Sequence, residues 1–430
     1  MMTRPFALAA LAVLMAALPA QAQLGGLDLP PLPVPANLGA ATGGLGDAEQ
    51  GLDAPLAQTG AALRRVRSEA IAALLLRHRQ ALEADPAGNP IVRGEVLAIA
   101  PSDQALTAAR ALGFSVLQSD VIDAVGALVA LQAPSGMTTA AALAALRHGD
   151  PSGTYDFDHL YLPSGAVVGG RAQSPAAAAS QAGGTRIGLI DGGVGAHPCL
   201  RGAIAEQRAF ASANVTPTAH ATAVASLLAG RGDGVIGAAP EAQLYVADIY
   251  GGAATGGSSL SLARALSWLA SLGVPVINIS LVGPRNRIVE AVVESLVERG
   301  FVIVAAVGND GPAAPPLYPA AYAGVVGVTG VDGQGRVLVE AERGPQVMFA
   351  APGIANAAAG HDGVALVRGT SFAAPVVAGL VALRVQSIAA SAAALEALRR
   401  EARDLGAPGR DDVYGYGLLL APPHRSIGAR

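Results

Sequence analysis

The sequence predicts an α/β protein, a parallel sheet with helices on both faces, preceded by a small α+β domain. Three observations carry this. In the C-terminal half, short apolar runs alternate with longer helical stretches: 243–249 then 259–272, and 274–280 then 286–298, with further apolar runs at 301–306 and 325–331. Strands that are apolar on both faces belong to a sheet covered on both sides, and strand–helix alternation makes that sheet parallel. Several of these runs end in a polar residue and a glycine turn, the edge at which open α/β sheets gather ligands. Finally, residues 61–147 carry their own mixture of helices and strands, set apart by an Ala, Ser and Gly stretch at 171–184 that reads as an accessible linker.

At the N-terminus, Arg4 precedes an apolar stretch at 6–18, followed by Pro19-Ala20-Gln21-Ala22 with small residues where a signal peptidase needs them. Residues 1–22 therefore read as a signal peptide cut after Ala22, which places the protein in the periplasm or outside the cell. Residues 23–60 are rich in Gly, Pro, Leu and Ala without period and read as a flexible segment with no core. The α+β region follows: a helix at 61–82, a strand at 94–99, a helix at 102–112, strands at 114–118 and 127–132, and a helix at 138–147.

Four segments of the C-terminal half bear chemistry. Thr185-Arg186-Ile187-Gly188-Leu189-Ile190-Asp191-Gly192-Gly193 is a buried strand that delivers Asp191 into a glycine turn. His220 starts an apolar helix that ends at Gly230, which makes it a base candidate. The run 301–307 is a strand that delivers Asn309 into Gly308-Asn309-Asp310-Gly311, where its amide could donate to an oxyanion. Gly369-Thr370-Ser371-Phe372-Ala373-Ala374-Pro375 opens a buried helix at 371–385 and places Ser371 among small neighbours and free helix N–H groups. Singly, each has a plainer explanation: turn formers, a helix-start histidine, a serine cap. Jointly, the order Asp, His, Ser with an Asn before the Ser is the order of subtilisin and differs from that of chymotrypsin-like enzymes and of α/β-hydrolases.

On these segments, residues 180–425 resemble a subtilisin-like serine protease (subtilase). The serine segment matches the family pattern almost throughout. Val276-Ile277-Asn278-Ile279-Ser280-Leu281 looks like the substrate-binding strand, and Phe349-Ala350-Ala351-Pro352-Gly353 and Gly415-Tyr416-Gly417-Leu418 resemble further landmarks. Ala221 and Ala223 stand where the family usually shows glycine and histidine, Gly192 where serine or threonine is commoner, and Val282 where a glycine often lines the groove. The resemblance implies peptide hydrolysis through an acyl-enzyme, with Ser371 as nucleophile, His220 as base, Asp191 orienting the imidazole, and Asn309 with the Ser371 N–H binding the oxyanion. Ser280, Leu281 and Gly283 on one side and Gly256 and Gly257 on the other could then pair with an extended substrate. It also implies that 61–175 is a propeptide-like domain with its linker, acting as intramolecular chaperone and inhibitor and removed by the enzyme itself.

Composition narrows the alternatives. The chain has no lysine, which excludes Ser-Lys dyads, P-loop lysines and Schiff bases, and its single cysteine, Cys199, allows neither an internal disulfide nor a cysteine-rich metal site. A net charge of −4 with 14% charged residues does not suit a polyanion, so nucleic acid is not an expected partner. Mean hydropathy of +0.43 comes from alanine rather than from membrane spans. The uncharged stretch 265–284 is broken by Gly273, Pro275 and Asn278, and 311–331 carries four prolines, so no membrane association is expected after signal cleavage. No cofactor is evident, and a structural calcium finds no clear loop: 230–234 offers one carboxylate. Two rival functions remain, a catalytically silent binding protein of the same fold and a secreted esterase, though Ser371 lacks the Gly-x-Ser-x-Gly elbow.

Overall fold

The computed structural model describes residues 49–421 except 124, 168–183, 233, 361 and 386, with side chains described from residue 60. The proposed signal peptide, residues 23–48 of the segment expected at 23–60 and residues 171–183 of the linker expected at 171–184 lie outside the described residues.

The C-terminal half is built on a seven-stranded, wholly parallel sheet. In order across the sheet, its strands are Ile204–Ala209, Gln243–Asp248, Arg186–Asp191, Val276–Ile279, Val302–Ala306, Val326–Val331 and Val347–Pro352. Residues alternate between faces along each strand. Ile187, Leu189, Val302, Val304 and Ala306 point to one face, where helices Ala219–Ala229 and Thr370–Ala382 complete a core. Ile190, Ile303, Ala305 and Val307 point to the other, against helices Ser259–Ser271 and Arg287–Glu298. The first two helices are buried almost all round, so their sequences show no polar face. Among the described residues, no helix is long and apolar enough to cross a membrane.

The α+β domain is an antiparallel sheet of Leu82–Ala84, Pro90–Ile99, Gly126–Gln132 and Ser115–Ile122, with Thr154–His159 also pairing with Pro90–Ile99. Helices Asp103–Ala111 and Thr139–Gly149 cover one face over Val96, Ala98, Val129 and Leu131. The opposite face, Leu97, Leu128, Ala130 and Ile122, joins the core around Leu262, Leu266, Ile288 and Val292 of the large domain. The two sheets thus share one apolar layer.

Polar contacts fix the docking. Strand Thr154–His159 meets the N-termini of two helices of the large domain, where free N–H groups favour carboxylates. Asp158 Oδ1 accepts from Leu260 N (2.9 Å) and Asp156 Oδ2 from Arg287 N (2.8 Å). Asn286, the N-cap of Arg287–Glu298, donates its amide to Phe157 O (2.8 Å) and His159 Nδ1 (2.9 Å). The N-terminal helix makes its own contact, Arg67 with Asp310 at 3.2 Å.

Three expectations needed adjusting. The helix expected at 61–82 runs Glu49–Arg77, so it claims twelve residues of the segment expected to lack structure. Once nucleated over the Ala- and Leu-rich stretch, a helix extends at little cost. The strand expected at 94–99 begins at Pro90, and that expected at 114–118 runs on to Ile122. Strands Ile204–Ala209 and Val347–Pro352 and the hairpin Ile354–Ala359/Gly363–Arg368 had no reading as strands, because polar or alanine-rich edges lack the apolar run that marks the central strands.

Glu95 ties this docking to pH. Burial pushes its carboxyl up to about 7, and burial together with the Glu95 charge raises Asp158 as well. An acid raised in the folded state contributes most below its ordinary pKa, near 4.5 for Glu95, and that contribution is lost as pH climbs towards 7. In the intact chain, Glu95→Gln should therefore raise the urea midpoint relative to wild type by an amount that grows between pH 4.5 and 7.5. Parallel midpoint curves for the two proteins would show that Glu95 carries no such penalty.

Candidate active site

Asp191 ends a central strand and is 1% exposed. Its Oδ1 accepts from Gly192 N (2.7 Å), and its Oδ2 lies 2.8 Å from His220 Nδ1. The approach depends on glycine: a Cβ on Gly192 would lie 2.6 Å from the Thr218 side chain, and one on Gly193 would lie 2.8 Å from the Thr216 backbone. Thr218 caps the histidine helix by accepting from Ala221 N (3.1 Å), and Thr222 donates to Thr218 O (2.7 Å). His220 is thereby held in the first turn. With Nδ1 committed to Asp191, its Nε2 is buried and has no hydrogen-bond partner.

Ser371 lies in the first turn of Thr370–Ala382, a helix preceded by Gly369 at φ +136° with no side-chain cap. A Cβ at Gly369 would stand 2.8 Å from Gly165 Cα. The unpaired N–H groups of this helix start go to Asn309 and to an incoming chain: Thr370 N donates to Asn309 Oδ1 (3.1 Å) and Ser371 N to Ser164 O (3.2 Å). The first contact orients the Asn309 amide, whose Nδ2 donates to Ser164 Oγ (2.8 Å). Ser280 braces the helix from below, since its Oγ donates to Ser371 O (2.9 Å) and accepts from Asn278 Nδ2 (2.9 Å). The Ser371 hydroxyl donates to Ser280 O (3.0 Å), not to His220.

The incoming chain is residues 160–164, laid as a strand between two edges of the large domain. Leu162–Pro163 pairs antiparallel with Leu281–Val282, and Ser164 N reaches Ser280 O at 3.5 Å. On the other side Tyr161 N donates to Gly257 O (2.7 Å), Leu160 bridges Ser258, and Tyr250 Oη donates to Tyr161 O (3.1 Å). The Tyr161 ring is fully buried, with its hydroxyl donating to Pro284 O (3.2 Å). A Cβ on Gly283 would enter that ring at 2.6 Å.

Of the residues singled out from sequence, Asp191 and His220 touch; Ser371 and Asn309 share Ser164; and Ser280, Leu281, Gly283 and Gly257 border the inserted strand. Gly256 does not pair with that strand. Its N–H closes a turn onto Ala253 O (3.0 Å), and a Cβ there would lie 2.4 Å from Tyr250 O. Ser258 takes the bridging place. Sequence reasoning also missed two buried acids. Asp248, opposite Asp191 in the sheet, gathers N–H donors from Thr216, Tyr250 and Gly251, while burial raises its pKa. Glu342 packs at Gly308, and burial, helped by the Asp310 charge, pushes it up to about 9, so it sits there as a neutral acid. Among the described residues no three His, Cys, Asp or Glu side chains cluster as a metal site would require.

The Subtilase family profile matches residues 182–417, more than half of the chain. The chain belongs to the subtilase family. Subtilisin Savinase of Lederbergia lenta is 33% identical over 263 residues, 58% of this subtilase and 95% of that protein. The minor extracellular protease Epr of Bacillus subtilis is 32% identical over 241 residues, 54% of this chain but only 37% of Epr, so the match spans little more than a third of that relative. Fervidolysin of Fervidobacterium pennivorans, described as a keratinolytic enzyme related to subtilisin, superposes with a TM-score of 0.66 at 20% identity, covering 81% of this subtilase and 63% of fervidolysin. That likeness concerns the fold.

Ser280→Ala tests how this subtilase holds its serine helix. It would remove the donor to Ser371 O and strand the buried Asn278 amide, a loss of roughly 1–3 kcal/mol. Urea unfolding of the intact chain should register that loss; a change below about 0.5 kcal/mol would mean the brace is dispensable.

Proposed function

We propose that this subtilase is an exported serine endopeptidase that matures by cutting its own chain. Membership of the family and the proteases among its relatives, one of them named as extracellular, support a serine-type endopeptidase. The observation that carries the finer reading is the pairing of Asp191 with His220 at 2.8 Å, which leaves a buried, unsatisfied Nε2 as base. In the proposed reaction the Ser371 hydroxyl leaves Ser280 O, passes its proton to His220 Nε2 and attacks the substrate carbonyl carbon. Asp191 fixes the imidazole tautomer and stabilises its cation. The oxyanion is held by Ser371 N and Asn309 Nδ2, and the imidazolium then protonates the leaving amine. Main-chain pairing with 281–282 and 257–258 suits extended or unfolded segments of peptide and protein substrates.

Residues 61–175 fit the part of a propeptide. Their sheet shares a core with the catalytic helices, and Asp156 and Asp158 occupy two helix N-termini that would otherwise hold free donors. A template of this kind suits a parallel sheet, whose distant pairings form slowly unaided. Export to the periplasm or medium follows from the signal-like N-terminus.

One observation favours the silent binding protein instead: the Ser371 hydroxyl is bonded to Ser280 O rather than to His220. A fluorophosphonate label decides between them, with stoichiometric modification at Ser371 expected for the enzyme and none for a silent fold. Turnover of peptides rather than simple esters sets aside the esterase reading.

Ser371→Ala or His220→Ala should lower peptide hydrolysis by several orders of magnitude while leaving the fold intact, because the three residues act as a unit. Near-normal turnover in either variant would sink the assignment. Asn309→Ala should reduce kcat by about 10² to 10³, the range found for such a donor in a subtilisin, with little change in KM. An effect confined to KM would place Asn309 in ground-state binding.

A further inference from the structure

We infer that the bond this protein cuts in itself is Ser164–Gly165, and that its groove selects chains with a tyrosine, two further residues, then a small residue followed by glycine. The inference rests on the serine-peptidase reading above but adds the position of the bond and the side chains that select it.

The chain is clamped on both sides of this one bond. Before it, residues 160–163 run as a strand between 257–258 and 281–282. After it, Ala166–Val167 pairs antiparallel with Gly363–Arg368. The bond between the clamps has its carbonyl oxygen on Ser371 N at 3.2 Å. Among the described residues no other backbone carbonyl accepts from Ser371 N. That contact brings the Ser164 carbonyl group to the residue that bears the nucleophilic hydroxyl.

The flanking side chains fit too closely to be interchangeable. Ser164 is 4% exposed, with its hydroxyl between Asn309 Nδ2 (2.8 Å) and Thr370 Oγ1 (3.4 Å), leaving no room for a large side chain. Gly165 has φ +149°, and a Cβ there would lie 2.7 Å from the Phe372 ring and 3.3 Å from Arg368 O. Three residues before the bond, Tyr161 is fully buried against Gly283 and its hydroxyl reaches Pro284 O.

The step balances with one water. Ser371 Oγ bonds to the Ser164 carbonyl carbon, the Ser164–Gly165 C–N bond breaks, and the proton from Ser371 passes through His220 to the Gly165 nitrogen, creating a new amino terminus. Water then cleaves the Ser371 ester, releasing the Ser164 carboxylate and restoring the hydroxyl.

The test follows the intact chain expressed for export. At early times the released N-terminal fragment should end at Ser164 and its complement begin at Gly165, by intact-mass and terminal sequencing. Gly165→Val should slow appearance of that fragment at least tenfold. An internally quenched peptide with the sequence of residues 160–167, offered to processed wild-type enzyme, keeps the inference open to failure if that variant misfolds. It should be cut between Ser and Gly, with kcat/KM falling at least tenfold when its tyrosine is replaced by alanine or its glycine by valine. A first cut elsewhere, or equal turnover of the three peptides, overturns the inference while fluorophosphonate labelling of Ser371 leaves the peptidase reading standing. Absence of labelling, with Ser371→Ala processed like wild type, overturns the peptidase reading itself.

Discussion

A buried helix that begins without a cap must find partners for its first N–H groups outside itself, and the site is organised around that demand. Thr370–Ala382 starts at Gly369, which offers no side chain, inside a core that excludes water. An unmet buried donor costs on the order of 1–3 kcal/mol. Asn309 Oδ1 meets the need of Thr370, and the Ser164 carbonyl meets that of Ser371. The same geometry that makes this helix start expensive to leave empty is what the proposed oxyanion role draws on. Glycine at 369 and 193 is what allows a backbone to approach so near, and Gly192 makes room for the Thr218 side chain; each carries the cost of a freer unfolded chain.

The N-terminal domain answers the same demand at two other helix starts. Asp158 and Asp156 serve Ser259–Ser271 and Arg287–Glu298, and an apolar sheet face closes over the flanks of both helices. Removing the domain would open that apolar layer and free these donors together. Glu95, its carboxyl pushed up to about 7 beside a buried Asp158 that is also raised, gives up its proton as pH climbs towards and past 7 and weakens the docking, so the contact is strongest where both acids carry protons. Apolar burial supplies the bulk of the adhesion, and the carboxylates supply its register and its sensitivity to pH.

Much of this was legible in the sequence because the central strands are apolar on both faces and end at polar turns. Asp191, His220, Asn309 and Ser371 stand at element boundaries, where sequence signals are sharpest, and helices at 102–112, 138–147, 259–272 and 286–298 begin at Ser102, Thr138, Ser258 and Asn286 caps or beside them. What escaped notice has a common physical cause. A strand that binds by main-chain pairing needs no distinctive side chains, so the inhibitory propeptide that the resemblance implied did not reveal which of its residues, 160–164, would lie in the groove. Gly256 and Ser258 sit two positions apart in a Gly- and Ser-rich run, and only the turn at Ala253 decides which faces the groove. Asp248 and Glu342 are acids whose role depends on neighbours distant in the chain.

The departures from the family pattern become intelligible in the packed structure. Ala221 and Ala223 are fully buried in the apolar core that the histidine helix joins, where a polar ring at 223 would require its own hydrogen-bond partner. Alanine there removes a polar group and leaves the Asp191–His220 contact untouched. Gly192 gives up a side chain so that Thr218 can sit against the turn and cap the histidine helix, trading a local hydrogen-bonding group for closer packing. Val282 pairs with Leu162 on the strand edge, so its bulk lies beside the bound chain while the main-chain ladder remains complete. All four substitutions alter what surrounds the site, and none removes a donor or acceptor from the proposed path of the proton between Ser371, His220 and the leaving nitrogen.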